Sequence, residues 1–86
     1  MGEVKVGEVV KFFAKPSVAA VKIVAGELKV GDTIKYVGHT TDLEDTVGSM
    51  EINNAKIEKA VAGDYIGIKV PDRVRPGDEV FIVTPD

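Results

Sequence analysis

Apolar and polar residues alternate along much of this chain with a period of two, and that period is typical of β-strands. Ala19, Val21 and Ile23 fall on one face of the segment 18–24. The segment 7–14 is also rich in β-branched and aromatic residues, and it stops at a Lys-Pro-Ser turn. These two segments are predicted to pair as a hairpin.

Three further strands are predicted at 33–37, 65–70 and 79–84, because each alternates or is dense in β-branched residues. The stretch 25–32 holds two glycines and is predicted to be a loop.

The middle of the chain is ambiguous. Leu43, Val47 and Met50 have the spacing of a helical stripe, but residues 46–52 alternate, and we predict a strand there with a bulge at its glycine. The segment 55–61 fits either a strand or a single helical turn.

A Gly-Asp pair precedes three of the predicted strands. Glycine accepts a positive φ, and the aspartate carboxylate accepts backbone N–H groups, so these pairs are predicted to be structural turns. With Gly26, the turn positions are Gly31, Asp32, Gly63, Asp64, Gly77 and Asp78. Six or seven short strands, with no segment assigned to a helix, predict an all-β fold, a small closed or nearly closed β-barrel.

The composition agrees with this fold and restricts the function. Fifteen Val and seven Ile accompany only two Leu, and this preference is typical of strands. A length of 86 residues predicts one domain covering 1–86. The sequence lacks an apolar run long enough to span a membrane and begins without a signal-peptide pattern, so we expect a cytoplasmic protein without membrane contact.

Few residues here are suited to catalysis. The chain has no Cys and a single histidine, His39, so thiol chemistry and histidine metal clusters are excluded. No Gly-Lys dipeptide occurs, which excludes a P-loop and its nucleotide. Asp42, Glu44 and Asp45 lack the spacing of a calcium loop and are better explained as a solvated acidic face. We therefore expect no enzyme activity, cofactor or metal.

Charge is distributed unevenly although the net charge is only −3. Residues 11–29 hold four lysines and one glutamate, whereas residues 42–64 hold six acidic residues and two lysines. An aromatic side chain exposed among lysines is the pattern of single-stranded nucleic-acid binding. The candidate RNA-binding residues are Lys11, Phe12, Phe13, Lys15, Lys22 and Lys29.

Several motifs, in this order, resemble domain II of translational GTPases such as elongation factor Tu. The most specific is Gly26-Glu27-Leu28-Lys29-Val30-Gly31-Asp32-Thr33-Ile34, followed by Ser49-Met50-Glu51 and by Ala60-Val61-Ala62-Gly63-Asp64-Tyr65-Ile66-Gly67. The resemblance implies a β-barrel of that type. Stand-alone elongation factor-like proteins are similar as well, and residues 40–47 are similar to the C-terminal barrel of collagenase-like peptidases.

In the larger translation factors, domain II contacts aminoacyl-tRNA and the small ribosomal subunit, and the resemblance implies such partners here. The first hypothesis is therefore a non-catalytic, elongation factor-like barrel that binds tRNA or ribosomal RNA through its lysines. The alternative is a protein-interaction module that docks on a larger enzyme or GTPase, with the acidic residues 42–64 as its contact surface. A third hypothesis, based only on the peptidase similarity, is an enzyme subunit or lid.

Overall fold

The computed structural model describes residues 2–84, and these form ten strands and no helix. The strands are β1 (Gly2–Phe13), β2 (Val18–Ile23), β3 (Glu27–Lys29), β4 (Thr33–Val37), β5 (Asp42–Thr46), β6 (Met50–Ile52), β7 (Ala55–Ile57), β8 (Lys59–Val61), β9 (Tyr65–Lys69) and β10 (Glu79–Thr84). Within this part of the chain, no helix could therefore cross a membrane.

Eight strands form one antiparallel sheet in the order β5-β4-β10-β1-β2-β9-β6-β7, and β3 pairs with β8 in a second, two-stranded sheet. The predicted hairpin of β1 and β2 is confirmed. The all-β prediction is also confirmed, but closure into a barrel is not, because the edge strands β5 and β7 do not pair with each other among the described residues.

The prediction of six or seven strands was wrong because three segments divide differently. The predicted loop 25–32 contains β3, the predicted strand 46–52 becomes the end of β5 followed by β6, and the segment 55–61 holds two strands, β7 and β8. Between β5 and β6, the amide of Val47 donates to the carbonyl of Asp32 at 2.9 Å, and the carbonyl of Val47 accepts from Gly31 at 2.9 Å. The backbone polar groups of Val47 are thus satisfied by a turn, outside the main ladder.

The core lies between the curved large sheet and the small sheet. It is built from the inward positions of the alternating strands, including Ala19, Val21 and Ile23, which are all fully buried. This confirms the shared face expected for that segment. Leu28 of β3 and Ala60 of β8 complete the core, so the small sheet covers apolar surface that the large sheet leaves open.

The three Gly-Asp pairs form the same turn. In each, the aspartate carboxylate accepts the amide of the residue three positions earlier at 2.8–2.9 Å, and the aspartate amide donates to that residue's carbonyl at 3.0–3.1 Å. The central glycine has φ of 95–99°, as a type II turn requires at its third position. The turns are Lys29–Asp32, Val61–Asp64 and Arg75–Asp78.

β1 changes partners along its length, and two bulges make this possible. Its first half pairs with β10 and its second half with β2, with register shifts between Lys5 and Gly7 and between Val9 and Lys11. Gly7 lies where the pairings overlap, opposite both Val80 and Ile23. A Cβ at Gly7 would lie 2.6 Å from the carbonyl oxygen of Lys22, so only glycine fits.

We predict that Gly7→Ala lowers the free energy of unfolding by about 2 kcal/mol or more, because the backbone of β2 would have to move. Gly48→Ala is the matched control, since a Cβ there meets nothing within 4 Å. Urea unfolding of both variants tests this prediction. Equal stability of the two variants would contradict it.

Tyr36 is a polar exception in the core. Its side chain is fully buried, and its hydroxyl has no hydrogen-bond partner among residues 2–84. Burial, together with the nearby Asp45 carboxylate, raises the pKa of Tyr36 well above its usual value, so the hydroxyl stays protonated.

We predict that Tyr36→Phe preserves or raises stability by up to about 1 kcal/mol, because it removes a buried hydroxyl that gains no bond. The thermal unfolding midpoint measures this change. A fall of several degrees would show that the hydroxyl has a partner in solution.

Candidate functional site

The structure brings only some of the six candidate RNA-binding residues together. Lys11 and Phe13 point outward from β1, and Lys22 points outward from β2. Phe12 points the other way and packs, half-buried, against the core. Lys15 lies exposed in the turn between these strands. Lys29 lies on β3 in the separate small sheet.

The outer face of β1, β2, β9 and β6 forms a groove that crosses these strands. Its floor is formed by Ala20 and Gly67, which are directly opposite each other in the β2–β9 ladder. Lys11 continues this row on β1, and Glu51 continues it on β6. Because the two central positions carry almost no side chain, the sheet surface is lowest there.

Aromatic side chains stand on both sides of this floor. Phe13, opposite Val18, forms one wall and remains 43% exposed. Tyr65, opposite Lys22, forms the other wall and remains 60% exposed. Exposed aromatic rings facing a common groove are typical of ligand-binding surfaces.

A lysine ammonium lies over each ring. Lys11 Nζ is 5.1 Å from the centroid of Phe13, and Lys22 Nζ is 5.6 Å from that of Tyr65. Both distances fall within the range of cation–π attraction. Each wall therefore combines an apolar ring with a positive charge.

One end of the groove is polar. Glu51 and the turn residues Asn53 and Asn54, both with positive φ, line this end, and Pro16 lines the side near Phe13. The groove is open and has a volume of about 560 Å³. Its size and shape suit a short segment of a flexible ligand.

Three lysines outside the groove form ion pairs. Lys5 pairs with Glu8 at 2.9 Å, Lys35 with Glu3 at 3.6 Å and Lys59 with Glu27 at 3.3 Å. The hydrogen bond that Lys5 donates to Glu8, assisted by the charge of Glu79, raises the pKa of Lys5. Within residues 2–84, neither Lys11 nor Lys22 has a carboxylate within ion-pair distance.

The acidic residues of β5 do not assemble a metal site. Asp42 and Glu44 are exposed on one face of this edge strand, whereas Asp45 points to the other face, toward Tyr36. In the part of the chain that the structure describes, no three His, Asp or Glu side chains lie close enough to hold a metal ion. Charged side chains on an edge strand instead discourage pairing with another sheet.

Sequence reasoning did not identify Tyr65, Ala20, Gly67 and Glu51 as members of this site. The alternation of 65–70 places Tyr65 and Gly67 on one face of their strand, and this signal was available. The alternation does not reveal which strand lies beside them. The pairing of β9 with both β2 and β6 became evident only from the structure.

Comparison with known proteins identifies the fold family. Residues 16–72 match the family described as elongation factor Tu domain 2, and this match covers more than half of the chain. The chain belongs to the elongation factor Tu domain 2 family. The resemblance inferred from the glycine-aspartate motifs is thereby confirmed.

Two sequence relatives of this chain are named as a protease and a collagenase. An uncharacterized protease of Methanocaldococcus jannaschii is 40% identical over 82 residues, which cover 94% of this chain. A collagenase of Porphyromonas gingivalis is 35% identical over 80 residues, which cover 92% of the chain. The chain spans about a fifth of the length of each: 20% of the protease and 19% of the collagenase.

Solved structures show the same fold. The C-terminal domain of a Geobacillus thermoleovorans protein assigned to the U32 peptidases has a TM-score of 0.85 at 13% identity, with 92% of this chain and 91% of that domain covered. GDP-bound aIF5B of Aeropyrum pernix has a TM-score of 0.67 at 15% identity, with 96% of this chain and 14% of aIF5B covered. The domain 2 fold therefore occurs in two settings, in a protein assigned to the peptidases and in aIF5B.

These findings correct the first functional hypothesis. The prediction of an elongation factor-like protein that binds tRNA or ribosomal RNA was wrong, because the homologues are named proteases and collagenases. The motifs behind that hypothesis consist mainly of turn glycines, aspartates and core residues. Such residues specify the fold that the two settings share, and they carry no information about the ligand.

The orientations of the two adjacent phenylalanines give a direct test of the site geometry. We predict that Phe12→Ala lowers the free energy of unfolding by about 1–2 kcal/mol, because this side chain packs against the core. Phe13→Ala should change it by less than about 0.5 kcal/mol. Urea unfolding of both variants provides the measurement, and a larger loss for Phe13→Ala would show that the register of β1 is different.

Proposed function

We propose that this chain is an accessory domain of a peptidase, acting as one unit that docks on a larger catalytic body. The observation that carries the proposal is the 40% identity to a protease over 94% of the chain, which nevertheless spans only 20% of that protease. A match of this kind is expected for one module of a multidomain enzyme.

The structural relative of the peptidase type supports the same proposal. Two structures of this one domain, the C-terminal domain of a Geobacillus thermoleovorans protein assigned to the U32 peptidases, align over 88% and 92% of this chain. That protein therefore contains a module of this size and fold at its C-terminus. We propose the same relationship here, either within one polypeptide or between two.

We further propose that the chain does not itself catalyse the cleavage. It has no cysteine and a single histidine, and that histidine, His39, is exposed in the bend after β4. The groove is lined by aromatic, small, amide and charged side chains, with no nucleophile beside a general base. These groups suit binding, and the proposed role is to assist a peptidase active site on another domain.

A domain exchange in the Porphyromonas gingivalis collagenase tests this proposal. Deletion of its matching segment should lower collagen hydrolysis by well over tenfold. Insertion of this chain in place of the segment should restore the rate to within roughly tenfold of the native enzyme, about 1.4 kcal/mol in activation free energy. The measurement is the initial rate of collagen cleavage by purified, folded proteins.

The matched control carries the corresponding segment of aIF5B, which has the same fold without the close protease relationship. That chimera should remain as inactive as the deletion. The proposal fails if the deletion leaves the rate unchanged, or if this chain restores no more activity than the aIF5B segment does.

A further inference from the structure

We infer that the groove between Phe13 and Tyr65 binds an extended, acidic segment of the polypeptide substrate. This ligand would belong to the proposed accessory domain. That the bound segment comes from a peptidase substrate rests on the proposed function. The existence of a peptide site rests on the groove itself.

The dimensions of the groove fit an extended chain. Its central row runs across five strands, through Lys11, Ala20, Gly67, Glu51 and Lys56. With neighbouring strands about 4.8 Å apart, these four steps span about 19 Å. Six residues of extended polypeptide have about the same length, at roughly 3.3 Å each.

The groove is also wide enough for a polypeptide. The walls stand four residues apart along β2, at Val18 and Lys22. Four residues of strand correspond to about 13 Å between the two rows of wall residues. An extended backbone with small or apolar side chains can therefore lie on Ala20 and Gly67, between the aromatic rings.

Charge selects the kind of peptide. Four ammonium groups, those of Lys11, Lys22, Lys56 and Lys69, border the row and its walls. Two carboxylates lie in the same stretch of the ladder, Glu51 in the row and Glu8 opposite Lys22, and Glu8 is already paired with Lys5. This surface is positive although the whole chain carries a net charge of −3. Acidic side chains flanking an apolar residue complement it.

The lysines that border the rings are poised for such a ligand. Lys11 and Lys22 lie over aromatic faces and have no carboxylate partner within residues 2–84. Cation–π attraction to a solvent-exposed ring is weak, so little is lost when each ammonium turns toward a ligand carboxylate. At the polar end, Asn53 and Asn54 can bond to the ligand backbone.

The openness of the groove favours a substrate over a permanent docking partner. A stable interface between protein domains typically buries about 800 Å² on each side and is apolar at its centre. This groove holds about six residues and is bordered by charges, which suits a segment that binds and leaves again. Binding of this kind would keep a polypeptide close to a peptidase active site and raise its effective concentration there.

The test measures binding to the isolated 86-residue chain. The probe is a fluorescein-labelled hexapeptide, Asp-Glu-Pro-Val-Glu-Asp, and the control is its charge-reversed counterpart, Lys-Lys-Pro-Val-Lys-Lys. Fluorescence anisotropy should show saturable binding of the acidic probe with a dissociation constant below about 1 mM and weaker binding of the control. Because the contacts are charged and exposed, added salt should weaken the binding.

Single substitutions locate the site. Tyr65→Ala and Lys22→Glu should each weaken binding by roughly tenfold, a loss of about 1.4 kcal/mol, whereas Tyr65→Phe, which keeps the ring, should bind like the native chain. Lys29→Glu is the matched control, since it makes the same charge change on the separate small sheet. Tyr65 and Lys22 point outward from the sheet, so these variants are expected to fold, and circular dichroism checks this.

Four outcomes of the binding measurements would overturn the inference. They are no saturation at about 1 mM probe, equal binding of the charge-reversed peptide, equal losses in Lys29→Glu and Lys22→Glu, or preferential binding of a short single-stranded RNA. Self-association that Tyr65→Ala abolishes would likewise assign the groove to a second copy of the chain. The test is independent of the collagenase exchange, so peptide binding alongside an inactive chimera would retain the groove as a peptide site and reject its link to a peptidase.

Discussion

The close approach of two backbones at Gly7 is the constraint on which the rest of this structure depends. β1 must pair with β10 and with β2 at once, and Gly7 lies where the two ladders overlap. The space that a side chain would need is taken up by the carbonyl of Lys22 and the side chain of Val21. This contact fixes the position of β2. Because β9 pairs with β2 and β6 pairs with β9, the register of the outer face depends on this one glycine.

The bulge at Val10 decides which side chains reach that face. Side chains alternate along a regular strand, so an unbroken β1 with Val9 in the core would also turn Lys11 and Phe13 inward. The extra residue reverses the alternation, so that Phe12 enters the core and Phe13 stands beside the groove. A local irregularity of one residue therefore creates the aromatic wall and the exposed lysine that lies over it.

The local features of the fold were predictable from sequence, and the features that arise from pairing were not. The hairpin of β1 and β2 and the inward face of 18–24 follow from short-range alternation. The separate sheet of β3 and β8 joins segments about thirty residues apart, and no local pattern specifies such a partner. The candidate site divides in the same way, since Lys11, Phe13 and Lys22 are near one another in sequence, whereas Tyr65, Gly67 and Glu51 reach them only through the ladder.

The same division explains why the motifs identified the family and misled about the function. The Gly-Asp turns bind their own backbone and direct the chain into its strands, so they specify the fold. The same fold occurs in aIF5B and in the C-terminal domain of a protein assigned to the U32 peptidases. Their side chains face the turns and leave the outer surface free. Ligand choice then depends on a few outward residues of β1, β2 and β9, where one aromatic or lysine can change without cost to the core. Functional divergence within this fold is therefore to be sought on the groove face, not in the motifs that define the family.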